Sequence, residues 1–414
     1  MDGRSSQIQT NGTVYLIGAG ANRVITDSDG QSPPLIDDFF QVASQMRKFS
    51  DSFYVERLAP VYEYIYQFWK KKIMDLASSS FDLEECFTLL EFQLKDAIGA
   101  NDLETARRLW GIEFKLKSFI AELLSEFQLS AYQSNEMRRF GEILFQEKPT
   151  ILTFNYDCIL EAAIEGASRV KAEPYPRSTL SSGNATPSGD ELAHSHFNWN
   201  RPLAYGILFD KVQLQRAGLP QFADGKMFYA HPRNQVYSWN LLKLHGSLNW
   251  FRYLPLRVVP EFIPGEPAVP ALGEKENHVI LTDGHWWFNQ PPDLDGWIID
   301  PLLITPVLYK EAFFQEPVYA RVFSPLWNRA REALSGCKRL VTVGYSFPPT
   351  DFSTKRLFLE AFKQTTPEEL IVVNPNSSVA DKVQDLCHNP KSVKRFAGLK
   401  EFLHMSETAD RTYP

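Results

Sequence analysis

A chain of 414 residues with 44% hydrophobic and 22% charged residues can bury a large core without disulfides or a structural metal, which excludes a disordered chain. Its 43 basic and 50 acidic residues give a net charge of −7, so the molecule as a whole does not attract nucleic acid, although a local basic groove stays open. The four cysteines (Cys86, Cys158, Cys337 and Cys387) form no C-x-x-C pair, which argues against a disulfide scaffold or zinc ribbon. With a polar start and no apolar run near ~18 residues, they lead us to expect a soluble, cytoplasmic protein.

The first predicted element is Val14-Tyr-Leu-Ile-Gly-Ala-Gly20, an apolar run ending in small residues, read as a buried strand entering a tight turn. From about Leu35 to Lys148 the texture changes. Between Val61 and Lys148 there is no proline, and only Gly99, Gly111 and Gly141 interrupt it. Apolar residues such as Trp110, Phe114, Phe119, Leu123 and Phe127 recur at helical spacing. Asp82 with Glu85, and Asn101 with Glu104, read as capping boxes, and the acidic pair Asp37-Asp38 as the start of a helix. Trp69-Lys-Lys-Lys72 reads as a solvated helix face.

From Thr150 onward, short apolar strands (Thr150–Phe154, Leu241–Leu244, Arg339–Val343 and Leu370–Val373) alternate with helical runs (Cys158–Glu165, Pro325–Leu334 and Thr354–Gln364). Long loops lie at Glu173–Asn200 and Leu254–Lys275. The alternation predicts an α/β fold, a doubly wound (Rossmann-like) parallel sheet with a large helical insertion. The divisions are 1–34 (first strand and turn), 35–148 (helical insertion) and 149–414 (remainder of the sheet domain with long loops).

In such sheets ligands bind past the carboxyl ends of the strands. Five predicted strand ends carry distinctive groups: Gly18-Ala-Gly-Ala-Asn22, Asn155-Tyr-Asp157, His245-Gly-Ser247, Gly344-Tyr-Ser-Phe347 and Asn374-Pro-Asn376. Each has an ordinary reading. A G-x-G turn lets backbone approach a phosphate, but tight turns need glycine anyway, and the third glycine of the dinucleotide fingerprint is missing. Asn155, Ser346 and Asn374 suit turns, Asp157 suits a helix cap, and His245 suits a hydrogen-bonded structural histidine.

Taken in order, these groups resemble the sirtuin superfamily, and most closely the sirtuin-like NAD-cleaving domains of bacterial antiphage defence systems. The motifs cover some thirty residues between Val14 and Asn376. The resemblance implies that Gly18, Ala19 and Gly20 cradle the NAD+ diphosphate, with Asn22, where a serine is common, also on the dinucleotide. It implies that Asn155 holds the attacking water or the nicotinamide ribose, that Asp157 lies against the nicotinamide carboxamide, and that His245 is the catalytic base. Gly344 and Ser346 would contact phosphate or ribose, and Asn374 the adenosine ribose. It also implies a homo-oligomer working with a protein partner, a HerA-type hexameric ATPase or alternatively a short Argonaute. The helical insertion is then the candidate lid or assembly surface.

The residue types suit that chemistry on their own terms. Releasing nicotinamide from NAD+ needs a positioned nucleophile more than a strong acid, and histidine and asparagine supply base and orientation. Two departures favour plain hydrolysis over deacylation. Only Cys337 and Cys387 follow His245, so the four-cysteine zinc module cannot exist and no metal is expected; and Pro33-Pro-Leu-Ile-Asp-Asp-Phe-Phe40 lacks the deacylase arginine. His194-Ser-His196 reads as surface histidines, Trp286-Trp287-Phe288 as a packed strand or interface, and no Walker-type motif is present. The expectation is an NAD+ glycohydrolase acting as a defence effector. The alternatives are a non-catalytic module that binds NAD or ADP-ribose, and less favourably an ADP-ribosyltransferase or deacylase. Neither membrane nor direct nucleic-acid binding is expected.

Overall fold

The structure, a computed structural model, describes residues 12–171, 203–216, 219–225, 239–255, 278–282, 296–307, 310, 316–348 and 351–410. In chain order the strands are β1 (Thr13–Ile17), β2 (Thr150–Thr153), β3 (Leu203–Ala204), β4 (Lys211–Arg216), β5 (Leu219–Asp224) and β6 (Trp239–Lys243). Then come β7 (Gly246–Pro255), β8 (His278–Leu281), β9 (Gly296–Leu303), β10 (Arg339–Val343), β11 (Glu369–Val373) and β12 (Ser392–Phe396). The predicted strands end within two residues of those observed.

Seven strands form one parallel sheet in the order β12-β11-β10-β1-β2-β6-β3. The chain begins in the middle, runs outward through β2 and β6, then returns to build β10, β11 and β12 on the other side. The order therefore reverses between β1 and β10, the place where an open α/β sheet leaves a crevice for ligands. Apolar runs such as β1 and β2 are buried along their whole length, as parallel strands covered on both faces must be. The edge strand β12 is mostly exposed and carries Lys394 and Arg395, paired to Glu369 (2.6 Å) and Asp381 (2.8 Å), charges that discourage further strand pairing.

Between β1 and β2 lie α1 (Phe39–Gln45), α2 (Ser52–Arg57), α3 (Ala59–Trp69), α4 (Ile73–Ser78), α5 (Leu83–Gly99), α6 (Leu103–Gln133) and α7 (Asn135–Glu147). Their apolar faces continue the core of the sheet: Phe40 stacks on Phe119 at 5.4 Å, and both belong to the same buried cluster as Leu152 and Val341. Helix α7 crosses α8 (Ile159–Lys171) closely enough that a Cβ on Gly141 would strike the Ala163 carbonyl. At the end of α7, Glu147 accepts from Tyr15 Oη (3.0 Å) and Arg339 (3.1 Å), stitching the helix to β1 and β10. Further α-helices among the described residues are α9 (Pro317–Ser335), α10 (Phe352–Ala361), α11 (Ser377–Leu386) and α12 (Leu399–Asp410). No helix among the described residues is long and apolar enough to cross a membrane.

Several local expectations are corrected. Helix α6 is capped by Asp102, which accepts from Thr105 N (3.1 Å), because Asn101 has a left-handed backbone (φ 57°). The acidic pair does stand at the start of α1, as expected, where Asp38 accepts from Leu35 N and Arg23 rather than from a helix amide. The lysine run is not on a helix: α3 ends at Trp69 and Lys70 turns left-handed. Helix α9 starts two turns before the predicted Pro325, which sits inside it. The buried stripe Val318, Tyr319, Val322, Phe323, Leu326, Ala330 and Leu334 outweighs the roughly 3 kcal/mol that an interior proline costs.

A second sheet, absent from the sequence expectations, has the order β5-β4-β8-β7-β9 and is largely antiparallel. Only Leu244 and His245 separate β6 of the first sheet from β7 of the second. His194, His196, Trp286, Trp287 and Phe288 lie outside the described residues, as do most of the two predicted long loops.

Candidate active site

All five singled-out groups follow strands of the parallel sheet, at its carboxyl edge and on neighbouring strands β11, β10, β1, β2 and β6. Their backbones are tied together one to the next. Gly18 N donates to Val343 O (2.9 Å), Gly344 N to Val373 O (2.9 Å), Asn374 N to Phe396 O (2.9 Å) and Leu244 N to Thr153 O (2.9 Å).

The glycines at the switch point pack against one another. A Cβ on Gly18 or on Gly20 would lie 2.7 Å from Gly344 O, and one on Gly344, whose φ is +66°, would collide with the Ala21 amide nitrogen. Gly20 N donates to Gly344 O (2.9 Å) and Ala21 N to Gly18 O (3.0 Å). The amides of Gly18 and Gly20 therefore tie this turn to the end of β10 and its following turn, that of Ala21 closes the turn on itself, and the close approach explains the glycines. Ala19 and Ser346 are exposed at the rim. Asn374 is half-buried and braces the loop: its Nδ2 donates to Tyr345 O (3.2 Å) and its Oδ1 accepts from Asn376 N (2.9 Å).

On the other side of β1, Asn22 and Asp157 meet in the interior, Nδ2 donating to Oδ2 at 2.8 Å. The other Asp157 oxygen accepts from Ile159 N (3.0 Å) and so caps α8, as the ordinary reading of that residue has it. Burial pushes the Asp157 carboxyl up to about 6 from 3.8, against the attraction of Lys243. The folded state thus holds this proton more tightly than the unfolded one. The resulting stabilisation is complete below pH 3.8 and lost as pH rises through about 6. Asp157→Asn removes this titration, so the dependence of melting temperature on pH between about 4 and 6 should flatten. Melting curves of the two proteins across that range check it, and parallel slopes would assign the proton elsewhere.

Asn155 follows directly. Its backbone N donates to Thr153 Oγ1 (3.1 Å), whose own hydroxyl donates to Ile17 O (2.9 Å), so the turn is locked to β1. The Asn155 carboxamide makes no hydrogen bond among the described residues, although the residue is buried. His245 is held by its backbone, whose carbonyl accepts from Ile304 N (2.9 Å), and by rings: Phe154 at 4.8 Å, Trp327 at 6.3 Å and Tyr156 at 6.4 Å. Its Nε2 is buried with no hydrogen-bond partner among the described residues. Burial first, and then the Lys310 charge, lower its basicity to about 3, so the imidazole is neutral at physiological pH.

Residues to which the sequence reading gave no role complete the arrangement. Tyr345 packs on Phe154 at 4.7 Å and donates to Asp351 Oδ2 at 2.5 Å. Asp351 also accepts from Thr354 Oγ1 (2.7 Å) and pairs with Lys310 (3.2 Å), both partners being at least 95% buried. Burial alone would raise the Asp351 carboxyl, but the charges of His245 in its imidazolium form and of Lys310, with the hydrogen bonds of Tyr345 and Thr354, bring it down to about 2. Beneath the Asn155–Asp157 turn, the wholly buried Lys243 donates to the Asp157 carbonyl and pairs with Glu161 (2.9 Å), which also accepts from Tyr205 Oη (2.6 Å). A single lysine inside the apolar run Leu241–Leu244 was the available signal for this network, since a buried ammonium requires partners.

The site thus has two lobes, a backbone-lined crevice at β1 and β10 and a polar, aromatic-walled recess at β2 and β6. The Asn22–Asp157 bond and the Phe154–Tyr345 contact join them. Among the described residues no group of three histidine, cysteine, aspartate or glutamate side chains is arranged to hold a metal ion. Comparison of the chain with protein-family models and with curated proteins returns no match.

Proposed function

We propose that the protein is an NAD+ glycohydrolase that releases nicotinamide and ADP-ribose. The observation that carries this reading is the placing of Asn155, Asp157 and His245 after the neighbouring strands β2 and β6 at the carboxyl edge of a doubly wound sheet, with His245 Nε2 buried and unpartnered among the described residues. The dinucleotide would span the two lobes, its diphosphate at the Gly18–Gly20 and Gly344–Ser346 turns and its nicotinamide end at Asp157. A water oriented by the Asn155 carboxamide attacks C1′ of the nicotinamide ribose. The C1′–N bond breaks with its electron pair passing to the ring, so nicotinamide leaves neutral, and the water proton passes to His245 Nε2. The apolar wall of Phe154, Tyr345 and Trp327 limits competing water.

The same reading makes the chain an effector that depletes NAD+ in antiphage defence, in the cytoplasm, as a homo-oligomer controlled by a HerA-type ATPase or a short Argonaute. Its support is the ordered set of motifs. A second reading, a module that binds NAD+ or ADP-ribose without cleaving it, is favoured by the low basicity of His245. Chromatographic time courses of NAD+ with purified protein, alone and with its genomic neighbour, separate the two. Hydrolysis predicts nicotinamide and ADP-ribose rising in equal amounts, and intact NAD+ with measurable calorimetric binding predicts the module.

A further inference from the structure

Lys310 has three ammonium N–H groups and, among the described residues, one acceptor, Asp351 Oδ1 at 3.2 Å, although it is 5% exposed. Asp351 does not depend on it, because Tyr345 Oη, Thr354 Oγ1 and Thr354 N all donate to the same carboxylate. The chain reaches Lys310 six residues after Ile304, whose amide is bonded to the His245 carbonyl. Asp351, Tyr345, Phe154 and His245 then form an unbroken wall through contacts of 2.5, 4.7 and 4.8 Å. Two polar groups on this wall thus lack the partners that burial demands: the remaining N–H groups of Lys310 and the Nε2 of His245.

Charge identifies what they await. The Lys310–Asp351 pair is neutral as a unit, and the imidazole is neutral as well, so this corner offers no net positive charge to a phosphate. It offers donors from Lys310 and one nitrogen of imidazole that accepts or donates, a set matched by adjacent hydroxyls, each of which can both accept and donate. We propose that Lys310 is a substrate-binding residue whose ammonium donates to the vicinal hydroxyls of the ribose next to the scissile bond, on the wall that also carries His245. Asp351 is the positioning residue that neutralises and aims it. This inference rests on the NAD+ reading of the site and extends it to a residue that no motif marks.

ADP-ribose and ADP serve as probes, because they differ by that ribose and neither is consumed. In calorimetry the wild-type chain should bind ADP-ribose more tightly than ADP. Lys310→Met should weaken ADP-ribose roughly 10- to 100-fold, the loss expected for a charge-assisted hydrogen bond, and leave ADP unmoved, which also reports an intact fold. The double variant Lys310→Met/Asp351→Asn leaves neither buried charge and decides the matter by the same comparison if the single variant does not fold. Unchanged preference for ADP-ribose in a folded Lys310 variant overturns the assignment while the NAD+ reading stands. Failure of the wild-type chain to bind either probe overturns both.

Discussion

Replacing His245 by alanine is expected to slow NAD+ cleavage by roughly 10²- to 10⁴-fold, the range a positioned acid–base group supplies, with affinity for NAD+ changed less than about tenfold. The reason is geometric. The residue is fixed by its own backbone bond to Ile304 and by three aromatic neighbours, and the buried Nε2 has no hydrogen-bond partner among the described residues, so truncation breaks no hydrogen bond of that nitrogen. Asn155→Ala should act alike, since that carboxamide is also unengaged among the described residues. The pH profile adds a check. With His245 neutral down to about pH 3, an acid limb of kcat/KM near pH 6 belongs to Asp157 and should survive any change that leaves Asp157 in place. Turnover within tenfold of wild type in His245→Ala would remove this residue from the chemistry.

The largest expected loss of stability comes from Lys243→Met. It leaves the Glu161 carboxylate buried without its cation and the Asp157 carbonyl without its donor, a change of about 3–5 kcal/mol for a broken buried pair. Glu161 already has one oxygen, Oε2, without a hydrogen-bond partner among the described residues, so it has little reserve. Adding Glu161→Gln to Lys243→Met should restore part of the loss, because a neutral amide still accepts from Tyr205 and no charge remains to be compensated. Urea unfolding of the two single variants and the double variant measures the coupling. A cost below about 1 kcal/mol for Lys243→Met would mean that solvent reaches Glu161.

What the amino-acid sequence makes legible follows from how strands are buried. A parallel strand covered on both faces is mostly apolar, so the first polar or glycine residue past it marks the carboxyl edge of the sheet, and Asn155, His245, Gly344 and Asn374 stand out for that reason. The glycines were legible as a turn, but not as a pair of turns pressed together, because Gly18 and Gly344 are 326 residues apart. Lys310 follows the proline-broken run Leu302–Tyr309 and Asp351 follows Pro348-Pro-Thr, so neither stands at the end of an uninterrupted strand-like run that would mark it out. The second sheet escaped for a related reason. Strands such as β4, Lys-Val-Gln-Leu-Gln-Arg, alternate polar and apolar residues and lie among proline-rich segments that read as loops. In α9, packing overrode the proline signal.

The order in which the sheet is assembled bears on when the protein first becomes active. Strand β1 leaves the ribosome early, yet one of its two neighbours, β10, is paired with it at Thr13 and Arg339, 326 positions later. At translation speeds of about 5–20 residues per second, the first strand waits roughly 16–65 s for that neighbour. Until then Val14 to Ile17 can pair with β2 along one edge only, and the other edge stays open. The Gly18–Gly344 contact cannot close in any shorter nascent chain. Under the proposed NAD+-cleaving activity, the paired glycine turns are therefore incomplete for most of translation, a restraint written into topology.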